Sequence, residues 1–219
     1  MIIIATNNGK NFILNILSDL ERIGVEYEIS IIDTMSSDDS YFFIKKIVED
    51  KKFNLKINLY QTPYRGFDSG AYIYAINNLI ADKFYFLQDS IRIKDKNFFL
   101  EIDKKLKTET VVPIISFQEN FYANSEQINF CIDNFETSDY KKGIFGPMFS
   151  ILYDDAKKID KKFLIYPFDK NTQMAMERGW AIIFDKYNFN IEPLEGEKND
   201  EKINNDSYNY FSKLFPYRL

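Results

Sequence analysis

Apolar residues in this chain come alternately as short unbroken blocks and as stripes with helical spacing. Ile2-Ile3-Ile4-Ala5-Thr6 is such a block and predicts a buried first strand, followed by turn chemistry at Asn7-Asn8-Gly9-Lys10. Phe12, Ile13, Ile16, Leu17, Leu20 and Ile23 then fall on one helix face, and Gly24 ends that helix. Tyr27 to Ile32 predicts a second strand, closed by Asp33-Thr34, and the polar loop Met35 to Ser40 leads a helix through Phe43, Ile44, Ile47 and Val48. Leu55 to Tyr60 alternates as a third strand. A glycine turn, Tyr64-Arg65-Gly66-Phe67-Asp68-Ser69-Gly70, then opens a helix through Tyr72, Ile73, Ile76, Leu79 and Ile80. Phe84-Tyr85-Phe86-Leu87 is wholly apolar, as a strand covered on both faces is, and it stops abruptly at Gln88-Asp89-Ser90.

After Asp89 the pattern loosens. It predicts a helix over Phe98 to Leu106, a strand over Val111 to Phe117, and an irregular polar segment over Glu119 to Lys142 that could serve as a lid. A strand over Met148 to Tyr153 precedes a short helix capped by Asp154. Asn171 is expected to cap a long helix striped by Met176, Trp180, Ile183, Phe184 and Tyr187, and Phe189 to Leu194 reads as the last strand. Gly196 to Ser207 is expected to be a mobile connection, and the aromatic stretch Tyr208 to Leu219 to pack back on the body. Alternating strands and helices joined by right-handed crossovers make an α/β protein with one mostly parallel, Rossmann-like sheet and helices on both faces. Asp33 and Asp89 should then share the carboxyl edge of that sheet, where ligands of open α/β sheets bind.

Composition narrows the chemistry. A length of 219 residues fits one domain with a real core. The net charge of −5, with Lys scattered among Asp and Glu, argues against a nucleic-acid partner, which would need a clustered basic face. The chain has no histidine and one cysteine, Cys131. Histidine or cysteine zinc sites, Ser-His-Asp triads and Cys-His dyads are therefore excluded, and Cys131 has no base to activate it. Any metal must be hard and oxygen-ligated. Neither the dinucleotide fingerprint GxGxxG nor a P-loop is present, which speaks against NAD chemistry and ATP hydrolysis. No apolar run reaches membrane-spanning length and the first residues lack a signal peptide, so a cytoplasmic location and no transmembrane segment are expected.

The order of three features carries a resemblance. A strand-end acid, Asp33, is followed by a Ser/Asp-rich loop; Gly66-Phe67-Asp68-Ser69-Gly70-Ala71-Tyr72 leads a helix; a buried strand then delivers Phe86-Leu87-Gln88-Asp89-Ser90. With Gly143 to Phe149 and Met174 to Arg178 further on, the chain resembles family-2-like glycosyltransferases of the GT-A fold over roughly Met1 to Leu194. The resemblance implies a single domain with a nucleotide-sugar half over about 1–95, an acceptor half over about 96–195 and a tail at 196–219. It implies transfer of a sugar from a nucleotide-diphosphate donor to a hydroxyl of a glycan or lipid-linked acceptor. Thr6, Asn7, Asp33, Arg65, Asp68, Gln88 and Asp89 would then contact the donor, with Lys10 as a further phosphate contact. Asp89 stands where the family binds Mn²⁺ or Mg²⁺; the family presents two carboxylates there and this chain one, so substrate phosphates and water would complete the shell.

An inverting transfer needs a base for the acceptor hydroxyl. Glu177, on the flank of its helix's apolar stripe, is the candidate: partial burial would raise its pKa toward that task. Arg178 is expected to face away, into solvent. Each carboxylate also has a plainer reading: Asp33 and Asp89 as turn residues, Asp68 as a helix cap and Glu177 as a surface acid. The competing functional classes are a non-catalytic nucleotide-sugar or glycan-binding module of the same fold and another nucleotide-binding α/β transferase, for example a nucleotidyltransferase.

Overall fold

The computed structural model describes residues 1–117, 123–137, 142–198 and 208–213. In chain order the elements are β1 (Ile2–Thr6), α1 (Lys10–Arg22), β2 (Ile29–Asp33), α2 (Ser40–Glu49), β3 (Ile57–Gln61), α3 (Phe67–Asn78), β4 (Lys83–Gln88) and β5 (Ile91–Ile93). There follow α4 (Phe98–Lys105), β6 (Thr110–Pro113), β7 (Ser116–Phe117), α5 (Ser125–Phe135), β8 (Gly143–Ile144), β9 (Phe149–Leu152) and α6 (Tyr153–Lys158). Last come α7 (Lys170–Lys186), β10 (Asn190–Ile191), β11 (Glu197–Lys198) and β12 (Phe211–Lys213).

Seven strands form the main sheet in the order β10-β6-β9-β4-β1-β2-β3. All its pairings are parallel except those of β9, which runs antiparallel to both β4 and β6. The mostly parallel α/β architecture expected from the alternating blocks is what the chain adopts. Period-two alternation splits the core into two layers. Ile3, Ala5, Phe84, Phe86 and Phe149 face α3, α5, α6 and α7. Ile2, Ile4, Ile29, Ile31, Tyr85 and Leu87 face α1, α2 and α4. Burying one such side chain contributes about 1.5–3 kcal/mol, so apolar residues on both faces of β1, β2 and β4 fix these strands as the sheet's centre.

Several expected boundaries move. Helix α3 begins at Phe67 and ends at Asn78; Leu79 is already extended, and Ile80 is exposed. Between those ends α3 is buried almost all round, from Ser69 to Ile76, because it lies beneath α7. The run Val111 to Phe117 is broken after Pro113 into two strands of different sheets, β7 pairing instead with β8 and β11. The last strand shrinks to β10. Leu152, not Asp154, is the N-cap of α6, and Asp169, not Asn171, caps α7 through a reciprocal capping box with Thr172. The segment Glu119 to Lys142 contains helix α5, capped by the Asn124 side chain accepting from Gln127 N–H at 2.9 Å. Of the expected lid, 119–122 and 138–141 lie outside the described residues, as do most of the expected mobile connection, at 199–207, and positions 214–219.

The return of Tyr208 to the body is observed: β12 pairs antiparallel with β5 and Phe211 is buried. Strand β5 is also clamped to α1. The buried Asp19 carboxylate accepts from Arg92 Nε at 2.6 Å, Arg92 Nη2 at 3.0 Å and the Ile93 N–H at 3.0 Å. Among the described residues, no helix is long and apolar enough to cross a membrane.

Candidate functional site

Register brings the carboxyl ends of three central strands together. Thr6 is paired with Asp33, Ala5 with Gln88, and the Asp89 N–H bonds the Ala5 carbonyl at 3.1 Å. Asp33 and Asp89 thus share one edge of the sheet, as expected. Both are buried, and so are Thr6 and Asn7. Asp33 accepts from Ser36 N–H and from Gln61 Nε2, each at 3.1 Å, and from the Ser36 hydroxyl. It therefore ties β2 to its following loop and to the end of β3. Asp89 Oδ2 accepts from the Thr6 hydroxyl at 2.8 Å.

The loops after β1 and β2 are laced to each other. Asn7 Nδ2 donates to the Thr34 carbonyl at 2.7 Å, Asn8 N–H to Ser36 Oγ at 2.8 Å, Ser37 N–H to Asn8 Oδ1 at 2.8 Å and Lys10 N–H to Ser40 Oγ at 3.1 Å. Each of the three βα connections at this edge also holds a non-glycine residue at positive φ: Asn8 at 55° and Met35 at 56° in their loops, and Phe67, the first residue of α3, at 48°. For an aromatic residue such as Phe67 this is an outlier, and strain of this kind concentrates at functional sites. Helices α1, α2 and α3 all begin at this edge, at Gly9, Asp39 and Gly66, without a bond from the N-cap side chain. Their positive ends make the edge attractive to an anion.

A second network joins α3 to α7. Gln88 Nε2 donates to Asp68 Oδ2, which also receives Gln173 Nε2 at 3.5 Å. Gln173 Oε1 accepts from Ser69 N–H at 3.3 Å, and Trp180 Nε1 donates to Ser69 Oγ at 3.1 Å. Two buried polar atoms in this region lack a protein partner, Gln88 Oε1 and the Tyr72 hydroxyl. Burial, reinforced by the charges of Asp68 and Asp89, pushes the Tyr72 phenol well above its ordinary pKa. Gln173, Ser69, Trp180 and Tyr72 were not among the expected site residues. The lone tryptophan and a glutamine beside an apolar stripe were the signals available for two of them.

Glu177 lies one turn beyond Gln173 on α7 and is half-buried; its Oε1 accepts from the Gly146 N–H at 3.0 Å. It therefore holds the turn after β8 against α7. Arg178 corrects an expectation: it is buried, with its guanidinium 5.2 Å from the Phe117 ring centre. Arg65 is exposed and sits over the Phe67 ring, and Lys10 pairs with Asp39 at the surface, so neither is directed into the strand-end cluster. Burial pushes the Cys131 thiol up to about 11 against the opposing effect of Arg178, which fits its reading as a core residue.

The metal role expected of Asp89 does not fit this setting. Asp89 Oδ2 is directed to Thr6 and packs against Gly9, where an added Cβ would fall 1.9 Å from it. Asp33 and Asp68 are each engaged by protein donors, and among the described residues no group of three or more acidic or cysteine side chains could hold an ion. Surface cavities of about 440 and 650 Å³ open elsewhere, beside Ile76 and Tyr187 and around Met1 and Tyr153. Neither is lined by Asp33, Asp68, Asp89 or Glu177.

No protein-family model matches the sequence, and no curated protein matches it. Among solved structures the chain is similar to residues 1–349 of S. aureus TarS in complex with UDP-GlcNAc, with TM-score 0.51 and 15% identity over 91% of this chain and 58% of that one. It is also similar to GalNAc-T7 with UDP, GalNAc and Mn²⁺, with TM-score 0.55 and 10% identity over 82% of this chain and 40% of that one. The chain thus spans less than two thirds of either structure. At these identities the likeness is one of fold: the chain has the GT-A fold that the order of its motifs resembles.

Proposed function

We propose that this protein transfers a sugar from a nucleotide-diphosphate sugar to an acceptor hydroxyl, in glycan or polysaccharide assembly. The observation that carries the reading is the polar floor at the carboxyl ends of β1, β2 and β4. There Thr6, Asn7, Asp33 and Asp89 are held beside three helix N-termini, and the strained Phe67 immediately precedes Asp68. Such an edge suits a diphosphate, whose charge the helix ends favour. The GT-A fold supports it, since the S. aureus TarS structure holds UDP-GlcNAc and the GalNAc-T7 structure holds UDP and GalNAc. Tyr64 and Tyr166, whose ring centres are 5.0 Å apart, form an aromatic rim beside Gly66 on which a glycan acceptor would stack.

In the transfer, the acceptor oxygen bonds to the anomeric carbon as the bond from that carbon to the diphosphate oxygen breaks, and the hydroxyl proton passes to Glu177. The Gly146 N–H holds that carboxylate in place, on the helix turn next to Gln173 and its link to Asp68. One observation favours the alternative of a non-catalytic nucleotide-sugar-binding module: Asp33, Asp68 and Asp89 all accept hydrogen bonds from the protein itself.

Nucleotide release from a panel of UDP- and GDP-sugars, with saccharide and lipid-linked acceptors, separates the two. A transferase shows acceptor-dependent release, and Glu177→Gln lowers it by about 10²–10⁴-fold while donor binding persists. A binding module shows no release in either form. Wild-type release that survives Glu177→Gln within a few-fold removes Glu177 as the base and leaves Asp68 and Asp169 to be tested.

A further inference from the structure

The residue at which the fold family supplies a metal ligand is given other work in this chain. We infer that Asp89 is a positioning carboxylate for the β1–α1 turn, and that the donor's diphosphate binds without a divalent cation. The inference rests on the transferase reading above.

Three observations converge on it. First, Asp89 is only 1% exposed, and its Oδ2 receives the Thr6 hydroxyl at 2.8 Å. Built on Gly9, a Cβ would lie 1.9 Å from that oxygen and 2.1 Å from Thr6 Oγ1. Mg²⁺ demands a near-octahedral shell and retains several waters. A carboxylate this buried, with Oδ2 held between a hydroxyl and the Gly9 backbone, leaves little room for such a shell.

Second, the flanking residues do not make up the deficit. Gln88 turns its amide N–H to Asp68, whose Oδ2 also faces Gln173, and Ser90 is buried. The glutamine therefore uses Asp68 to fasten α3 and α7 to the sheet, and does not leave it as a second carboxylate for an ion beside Asp89.

Third, two helix N-termini stand at this edge. Helices α1 and α3 start at Gly9 and Gly66 with no bond from an N-cap side chain, and α3 carries Asp68 in its first turn. Asp89 seats the first of these turns: it fixes Thr6, packs on Gly9, and so sets where the α1 N-terminus faces. Main-chain N–H groups at such an end offset diphosphate charge directly.

The test is binding of UDP and of GDP to the full chain, by calorimetry and thermal shift, in EDTA and again in excess Mn²⁺. Dissociation constants within about twofold of each other in the two buffers are expected. Asp89→Asn keeps an oxygen that accepts from Thr6, so it should weaken binding less than Asp89→Ala, and by the same factor with and without Mn²⁺. If Asp89→Ala fails to fold, Thr6→Val tests the same contact and should weaken binding in both buffers alike. A tenfold or larger gain in affinity on adding Mn²⁺, abolished by Asp89→Asn, overturns the inference and leaves the transferase reading standing. If neither nucleotide binds in either buffer, the transferase reading falls and the inference falls with it.

Discussion

Gly9 is the position at which the packing around Asp89 can be tested most sharply. Its φ of −102° is open to any residue, so Gly9→Ala carries no backbone penalty. Loss of chain freedom in the unfolded state would on its own make that change stabilising by about 0.4–1 kcal/mol. The structure predicts the opposite sign. The new methyl would fall 1.9 Å from Asp89 Oδ2 and 2.1 Å from Thr6 Oγ1, both buried, so one or both must move. Breaking a hydrogen bond to a charged acceptor costs about 1.5–3 kcal/mol, and forcing a methyl into a packed site costs about 1–3 kcal/mol. After the unfolded-state gain, the net destabilisation is roughly 1.5–5.5 kcal/mol. In a domain of this size each kcal/mol moves Tm by about 2–4 °C, so the drop is about 3–22 °C. Gly70→Ala is the internal control: it lies inside α3, its nearest neighbour would be Tyr166 at 3.5 Å, and alanine there should stabilise by about 0.5–1 kcal/mol. Far-UV circular dichroism melts of the two variants beside the parent decide the matter. A Gly9→Ala protein that melts at or above the parent refutes the close packing of Asp89 and Thr6 on the Gly9 backbone.

Two further outcomes follow from named contacts. Burial alone would raise the Asp19 pKa, but the bonds and charge of Arg92, the Ile93 N–H and Arg22 outweigh it and hold the carboxyl below its usual range. Asp19 thus contributes stability above the unfolded carboxylate pKa of about 3.9, and this is lost as pH falls through the lower folded value; urea melts should show Asp19→Asn less stable at pH 7 and the difference shrinking below about pH 4, and a gap that stays constant to acid contradicts it. Trp180, the sole tryptophan and fully buried, should fluoresce blue-shifted and resist iodide quenching until urea unfolds α7 from α3; native-state quenching comparable to that of free tryptophan would contradict the packing.

The centre of the fold was legible because apolar blocks covered on both faces have few alternatives. Ile2 to Ala5 and Phe84 to Leu87 could hardly be anything but inner strands, and parallel register then fixes Asp33 and Asp89 at one edge. Short strands escaped for the converse reason: β5, β7, β8, β11 and β12 are two or three residues long and exist through their partners, so no local period announces them. Arg178 was misplaced because helical spacing from Met176 and Trp180 says nothing of what covers the far side of α7, where α5 and Phe117 lie. At the site, the residue types were legible and their engagements were not. Asp89 in a sequence is a carboxylate at a strand end; only Thr6 and Gly9, more than seventy positions earlier, show which way it turns.

The antiparallel strand β9 has a consequence for how the chain is made. By Gln88 the strands β3, β2, β1 and β4 have all been synthesised and can pair, and they leave the row Phe84-Tyr85-Phe86-Leu87 as the open margin of a growing sheet. Its cover, β9, begins only at Phe149. At roughly 5–20 residues per second the interval lasts about 3–12 s, against about 1–100 μs for hairpin closure and collapse. For that time an aromatic strand edge is available to any neighbouring chain, which is the ordinary route to misassociation. The newborn protein therefore depends on its own later half, or on a holdase, to keep its central strand from pairing with a stranger.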